Sequence, residues 1–225
     1  MLKFNEVKSC QVVVLTFMLL FSASIFAASR GSLIMAIWEG RIDDVKILLA
    51  NETTNLNEVD KLGRTPLMIA ILWERVEIIN LLLADKRTDL NVVDSYGRTA
   101  LMRAAVKVQL DIMKILLADE RTDPNVIGIS GATALTSAVL QNKAEVIEIL
   151  LADERTDPNI VDGYYGRTAL MEAVWDNNIN VVKLFSVNKK TNVHIVATYE
   201  GTALVLAKDL GHADIVELLE QRQSN

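Results

Sequence analysis

Apolar and polar positions along the chain fall into blocks that return in the same order. A short apolar segment is followed by a polar break, then a Leu, Ile and Val-rich segment, then a polar link ending near a glycine. Six alanines keep the register: Ala36, Ala70, Ala104, Ala138, Ala173 and Ala207 stand 34, 34, 34, 35 and 34 residues apart. A fixed period of this size marks stacked repeats. A unit so short cannot enclose a core alone, so each must bury its apolar face on its neighbours and build an elongated array.

The unit from Thr99 to Thr133 shows what each block becomes. Thr99 precedes the segment Ala100 to Val106, where its hydroxyl is placed to accept a backbone N–H at the start of a short helix. Thr65, Thr133, Thr168 and Thr202 repeat this cap, and Pro66 fits just inside the helix that follows Thr65, where a missing N–H costs nothing. A second helix is predicted through Ile112, Met113, Ile115, Leu116 and Leu117, apolar almost all round as expected when neighbours cover both flanks. Asp123-Pro124-Asn125 and then Gly131, with Gly63, Gly97 and Gly166 at the same place, predict a tight hairpin-like turn between units.

The predicted fold class is therefore all-α, six helix-turn-helix units with projecting hairpin-like turns, over approximately residues 31–64, 65–98, 99–132, 133–167, 168–201 and 202–225. Terminal units need a polar outer face. Glu217, Glu220, Gln221, Arg222 and Gln223 supply it at one end, and Arg41, Asp43, Asp44 and Lys46 at the other, with Ser29 or Ser32 starting the first helix.

The array resembles ankyrin repeats, from about Gly31 to the C-terminus. The resemblance is carried by Gly63-Arg64-Thr65-Pro66-Leu67, Gly97-Arg98-Thr99-Ala100-Leu101, Gly166-Arg167-Thr168-Ala169-Leu170 and Gly211-His212. It implies antiparallel helix pairs stacked into a curved solenoid, whose hairpins project at about a right angle and line a concave recognition face. Several positions depart from the family pattern. The histidine usual after Thr-Pro-Leu is Met68, Met102, Thr136, Met171 or Val205, so the polar network it would join is absent. The glycine usual between paired helices is Glu74, Val108, Asn142 or Asn177; asparagine tolerates a left-handed turn, whereas Val108 is expected to be strained or to shift the turn. Gly163-Tyr164-Tyr165 carries an insertion, and Glu200 stands where the sixth turn glycine is expected.

The first 27 residues read differently. Lys3 and Lys8 precede an apolar stretch from Val12 to Phe21 and a small-residue region up to Ala28. This is the pattern of a secretory signal peptide cleaved after Ala27 or Ala28; the alternative is an uncleaved anchor, which would make the protein a membrane-tethered scaffold. The expected mature array, residues 28–225, is therefore secreted or periplasmic. It would hold 21 basic and 28 acidic residues, a net charge of −7. An acidic chain without a basic block is not expected to bind nucleic acid. The single cysteine, Cys10, precedes the apolar stretch, so the mature chain would contain no thiol for a disulfide, catalysis or metal binding.

Recognisable chemistry is sparse elsewhere. His194 and His212 have no ligand or triad neighbour in the sequence, and the recurring acids Asp85, Asp119, Asp153, Glu120 and Glu154 read as periodic solvated surface. No catalytic residue, metal site or cofactor is expected. The large aromatics are the informative residues. All four tyrosines, Tyr96, Tyr164, Tyr165 and Tyr199, fall in hairpin tips, and all three tryptophans, Trp38, Trp73 and Trp175, fall at the ends of first helices. The resemblance places both sets on the concave face. Seven such rings half buried would cover on the order of 600–700 Å², against about 800 Å² per partner in a standard interface. Arg64, Arg98 and Arg167 are expected to flank them, either offering donors to a partner's carboxylates or pairing with loop acids such as Asp60, Asp94 and Asp162. The expectation is a monomeric array that binds a protein partner through Trp38, Trp73, Tyr96, Arg98, Tyr164, Tyr165, Arg167, Trp175 and Tyr199, either as a capture module or as an accessory or inhibitory subunit of an enzyme.

Overall fold

The computed structural model describes residues 32–129, 131–163 and 165–224. Residues 1–31, with the expected leader and Ser29, and Tyr164 lie outside the described residues. Twelve helices form six pairs among the described residues: α1 (Leu33–Glu39) with α2 (Ile42–Ala50), α3 (Pro66–Leu72) with α4 (Val76–Ala84), α5 (Ala100–Lys107) with α6 (Leu110–Ala118), α7 (Ala134–Leu140) with α8 (Ala144–Ala152), α9 (Ala169–Trp175) with α10 (Ile179–Val187), and α11 (Ala203–Asp209) with α12 (Ala213–Ser224). None of them is long and apolar enough to cross a membrane.

Each first helix starts where the sequence predicts. Thr65, Thr99, Thr133, Thr168 and Thr202 each accept the N–H three residues on, and Ser32 does the same for Met35. First helices pack on first helices in an unbroken row, α1 on α3 through to α11, while each also packs on its own second helix. The six register alanines are all buried in that row. A methyl group there lets neighbouring helices approach closely and leaves no room for a longer side chain. Phe185, the phenylalanine that replaces a core leucine in α10, is fully buried.

The polar links do more than turn the chain. Arg87 donates to the carbonyls of Leu49, Asn51 and Glu52 in the unit before it, at 2.8, 3.2 and 3.0 Å. Arg121 reaches Leu83, Asp85 and Thr88 in the same way, and Arg155 reaches Leu117, Asp119 and Thr122. Lys190 keeps two of these bonds, to the carbonyls of Asp153 and Thr156. These carbonyls end α2, α4, α6 and α8 or lie just beyond them, where helical hydrogen bonding stops and a cation complements the helix dipole.

A second ladder runs beside the first. The side-chain amides of Asn57, Asn91, Asn125 and Asn159 donate to the carbonyls of Arg87, Arg121, Arg155 and Lys190, each at 2.8 Å, and accept the N–H groups of Asp89, Asp123, Asp157 and Asn192. His194 takes the next asparagine position, with its N–H on Asn192. Asp85, Asp119 and Asp153 hold Arg87, Arg121 and Arg155 through forked hydrogen bonds. The expectation that these acids are merely solvated surface is thus corrected: they aim the arginines that join the units. Glu120 and Glu154 remain exposed.

Two backbone expectations resolve at single residues. Val108 does not shift its turn; it occupies the left-handed region itself at φ 57° and ψ 38°. Its side chain packs partly against the core. In the sixth turn the left-handed place moves one residue on, to Gly201 at φ 72°, which frees Glu200 to carry a side chain.

Left-handed backbone costs a β-branched residue about 1–2 kcal/mol. Val108→Gly, which copies Gly40 and Gly211 at the same register place, is expected to stabilise the array by about 1 kcal/mol, read as a raised thermal midpoint. Acid should act on the arginine ladder. Hydrogen bonds from their arginines hold Asp85, Asp119 and Asp153 below the usual carboxylate range. Each therefore contributes stability that is complete above the unfolded pKa of about 3.9 and is lost as pH falls through the lower folded value. The ladder's contribution to the thermal midpoint should be constant above about pH 5 and fall steeply below about 4, and Arg121→Ala should make that fall shallower.

Candidate functional site

Between each pair of units the chain leaves the stack in a hairpin, closed by bonds such as Asp94 N–H to the Arg98 carbonyl at 3.0 Å and Ala197 N–H to the Gly201 carbonyl at 2.8 Å. Hairpins also join one another, Ser95 N–H to the Leu62 carbonyl and Thr198 N–H to the Tyr165 carbonyl, both at 2.9 Å. Hairpin tips and first-helix ends come together where Tyr165 and Trp175 both lie against Arg167, and where Tyr96 and Leu140 line one depression.

The rings keep much of their surface open. Trp38 and Trp73, from consecutive units, meet edge to face with centroids 6.2 Å apart and planes at 89°. They remain 53% and 47% exposed. Trp175 is 47% exposed at the end of α9, and Tyr199 is 83% exposed at the last hairpin. Tyr96 and Tyr165 are also exposed. Edge-to-face pairs contribute about 0.5–1.5 kcal/mol beyond their buried area, so Trp38 and Trp73 hold each other in place while each keeps an open flank.

The three turn arginines behave differently. Arg64 pairs with Asp60 of its own hairpin, at 2.5 Å. Arg98 lies 5.6 Å over the Tyr96 ring and is exposed. Arg167 is 6% exposed. Its guanidinium stands 4.0 Å from the Trp175 ring centroid and 4.8 Å from that of Tyr165. Nε donates to Glu200 at 2.5 Å, Nη2 bonds the same carboxylate, and Nη1 is 3.6 Å from Glu172. Arg167 is thus a buried strut that orients two rings, with its donors already engaged inside the chain. Burial pushes the Glu172 carboxyl up against the opposing pull of Arg167.

Exposed aliphatic side chains were missed among the candidates. Val59, Val93, Ile127, Val161 and Val196 recur at the repeat period on the hairpin arms, and Leu140 stands at a first-helix end. Their signal was present as β-branched residues two places after each turn asparagine or its histidine substitute. Aliphatic residues within an apolar repeat read as core until coordinates show them open.

A family model described as ankyrin repeats (3 copies) matches residues 33–128 and 120–197. Among solved structures, the chain is similar to EF0377, an ankyrin repeat protein, at 27% identity over 85% of this chain and 97% of that one, with a TM-score of 0.71. It is similar to the ankyrin repeat domain of Bcl-3, a member of the IκB protein family, at 25% identity over 84% of this chain and 85% of the other, with a TM-score of 0.75. A third match, at 27% identity, is a chain from the complex of the predatory endopeptidase Bd0816 of Bdellovibrio bacteriovorus with immunity protein Bd3460. It covers 84% of this chain and 96% of that one, with a TM-score of 0.61. The curated proteins contain no match to this chain.

Removing Arg167 should leave Glu172 buried without its counter-charge and release both flanking rings. Arg167→Ala is expected to cost about 3 kcal/mol, measured by denaturant unfolding, and to shift tryptophan emission to the red as Trp175 loses its cover.

Proposed function

The chain belongs to the ankyrin repeat family, and from that premise we propose that it captures a partner protein outside the cytoplasm, on the inner face made by its hairpins and first-helix ends. Ankyrin repeats make it a protein–protein interaction module. The choice of face rests on one observation: Trp38, Trp73, Tyr96, Tyr165, Trp175 and Tyr199, at hairpin tips and first-helix ends, are all exposed. Such rings dominate interface energetics where they are found, because they bury large apolar area with few torsions to freeze. Arg98 joins them as an open donor, and Arg167 supports them from beneath.

The extracytoplasmic location is supported by the charged, apolar and small-residue order of residues 1–27. The array is read as a monomer that binds no nucleic acid and carries out no catalysis. It would meet a membrane only if that segment is retained.

A second reading makes the partner an enzyme that the array restrains. It is favoured by the similarity, over 84% of this chain and 96% of the other, to a chain of the endopeptidase and immunity protein complex.

The test is affinity capture from the native extracytoplasmic fraction followed by mass spectrometry. Replacing Trp73, Tyr96, Tyr165 and Trp175 together with alanine should abolish recovery, since each such anchor typically contributes about 2 kcal/mol or more. Unchanged recovery would remove this face from consideration. Activity of any captured enzyme, assayed with and without the array, separates restraint from simple capture. N-terminal sequencing should find the mature chain starting near Ala28 or Ser29.

A further inference from the structure

Around Arg98 one ion pair is rearranged relative to the equivalent hairpin before it. In the hairpin before α3, Asp60 receives the side chain of Arg64, and the fourth residue after the capping threonine is Ile69. In the third unit Arg103 replaces that isoleucine and takes the Asp94 carboxylate for itself. Oδ1 of Asp94 is meanwhile occupied by the N–H groups of Tyr96 and Arg98, at 2.7 and 3.0 Å. The Asp94 side chain is wholly buried under this arrangement. Arg98 has lost its expected loop partner and leans on the Tyr96 ring instead.

Lys107 stands close by at the end of α5, exposed. At the same register place the other units carry Glu39, Trp73, Gln141, Asp176 and Leu210, so the third unit alone offers a cation there. Neither Arg98 nor Lys107 forms an ion pair with any described residue.

Two depressions meet at this point. One, of about 180 Å³, opens toward the fourth unit and is lined by residues including Tyr96, Arg98, Met102, Val106 and Leu140. The other, of about 50 Å³, opens toward the second unit between Ile71, Leu72, Arg98, Arg103, Val106 and Lys107. None of the described residues lining either one is acidic, in a chain whose net charge is −6. The larger space suits one aliphatic side chain, and its rim presents unpaired positive charge.

We infer that the third unit is the specificity centre of the face, and that it takes a partner segment carrying an aliphatic side chain flanked by carboxylates. This rests on the inner-face reading above and adds to it the chemistry of the segment bound. The aliphatic group fills the depression beside Val106 and Leu140, while Arg98 and Lys107 meet the flanking acids. Arg103 is a positioning residue: it holds Asp94 away from Arg98 and so keeps that guanidinium free for the partner.

The test is amide NMR on the full chain with two capped pentapeptides, acetyl-Gly-Glu-Leu-Glu-Gly-amide and acetyl-Gly-Lys-Leu-Lys-Gly-amide, each titrated to about 5 mM. The acidic peptide should shift the resonances of Tyr96, Arg98, Val106, Lys107, Leu140 and Gln141, and the basic peptide should not. R98E combined with K107E should exchange that preference. Arg103→Ile retains both cations and should still weaken the acidic peptide about tenfold, because Asp94 is then released to pair with Arg98 as Asp60 pairs with Arg64. Equal response to both peptides, no shift at these residues, or undiminished binding in Arg103→Ile overturns the inference. Partner capture that depends on the tryptophans while the peptides fail would sink this inference alone and leave the inner-face reading standing.

Discussion

Each of the first four units ends its second helix with backbone carbonyls whose donors the next unit supplies. Arg87, Arg121, Arg155 and Lys190 perform this transfer one after another, always reaching backward. The asparagine ladder adds a second link of the same sense. Apolar burial between helices contributes most of the stabilisation but tolerates sliding, since it has no direction. Directional bonds to particular carbonyls hold one register and one order of stacking. The alanine row then fixes how closely the first helices approach.

The side chains at the hairpin tips and first-helix ends stand apart from these ladders. Their residues vary from unit to unit while the ladders repeat. Where the tips do pair, the partner comes from the same hairpin or the adjacent unit. Arg167 at the end of the fourth unit engages Glu172 and Glu200 of the fifth, and Arg64 is held by Asp60 in the first. The hairpin before α5 is the exception, since its loop carboxylate is claimed by Arg103. A single substitution at one helical position, Ile69 in one unit and Arg103 in the next, thereby changes which cation faces outward.

Similarity to an IκB-family domain and to a chain of an endopeptidase complex shows how little the scaffold alone says about what is bound. The same stacking supports unrelated surfaces, so identity of fold passes on a mode of binding and not a partner. What distinguishes this chain is the set of side chains that its ladders leave unused.

The sequence by itself determined the unit, its length, its helix starts and its number of copies. These depend on local chemistry: a threonine hydroxyl caps the N–H three residues on, and an alanine fits where nothing larger does. It also located the rings at tips and helix ends, because register alone places them there. Only the tertiary structure decided what the charged residues do. Asp119 and Arg121 stand two residues apart in a polar stretch that reads as solvated surface, yet the carbonyls they serve lie 33 to 38 residues earlier. Arg64, Arg98 and Arg167 share one motif and have three different fates, set by Asp60, by Arg103 and by Glu200. A charge takes its partner from whatever the fold brings within about 3 Å, and that neighbour comes from another part of the chain.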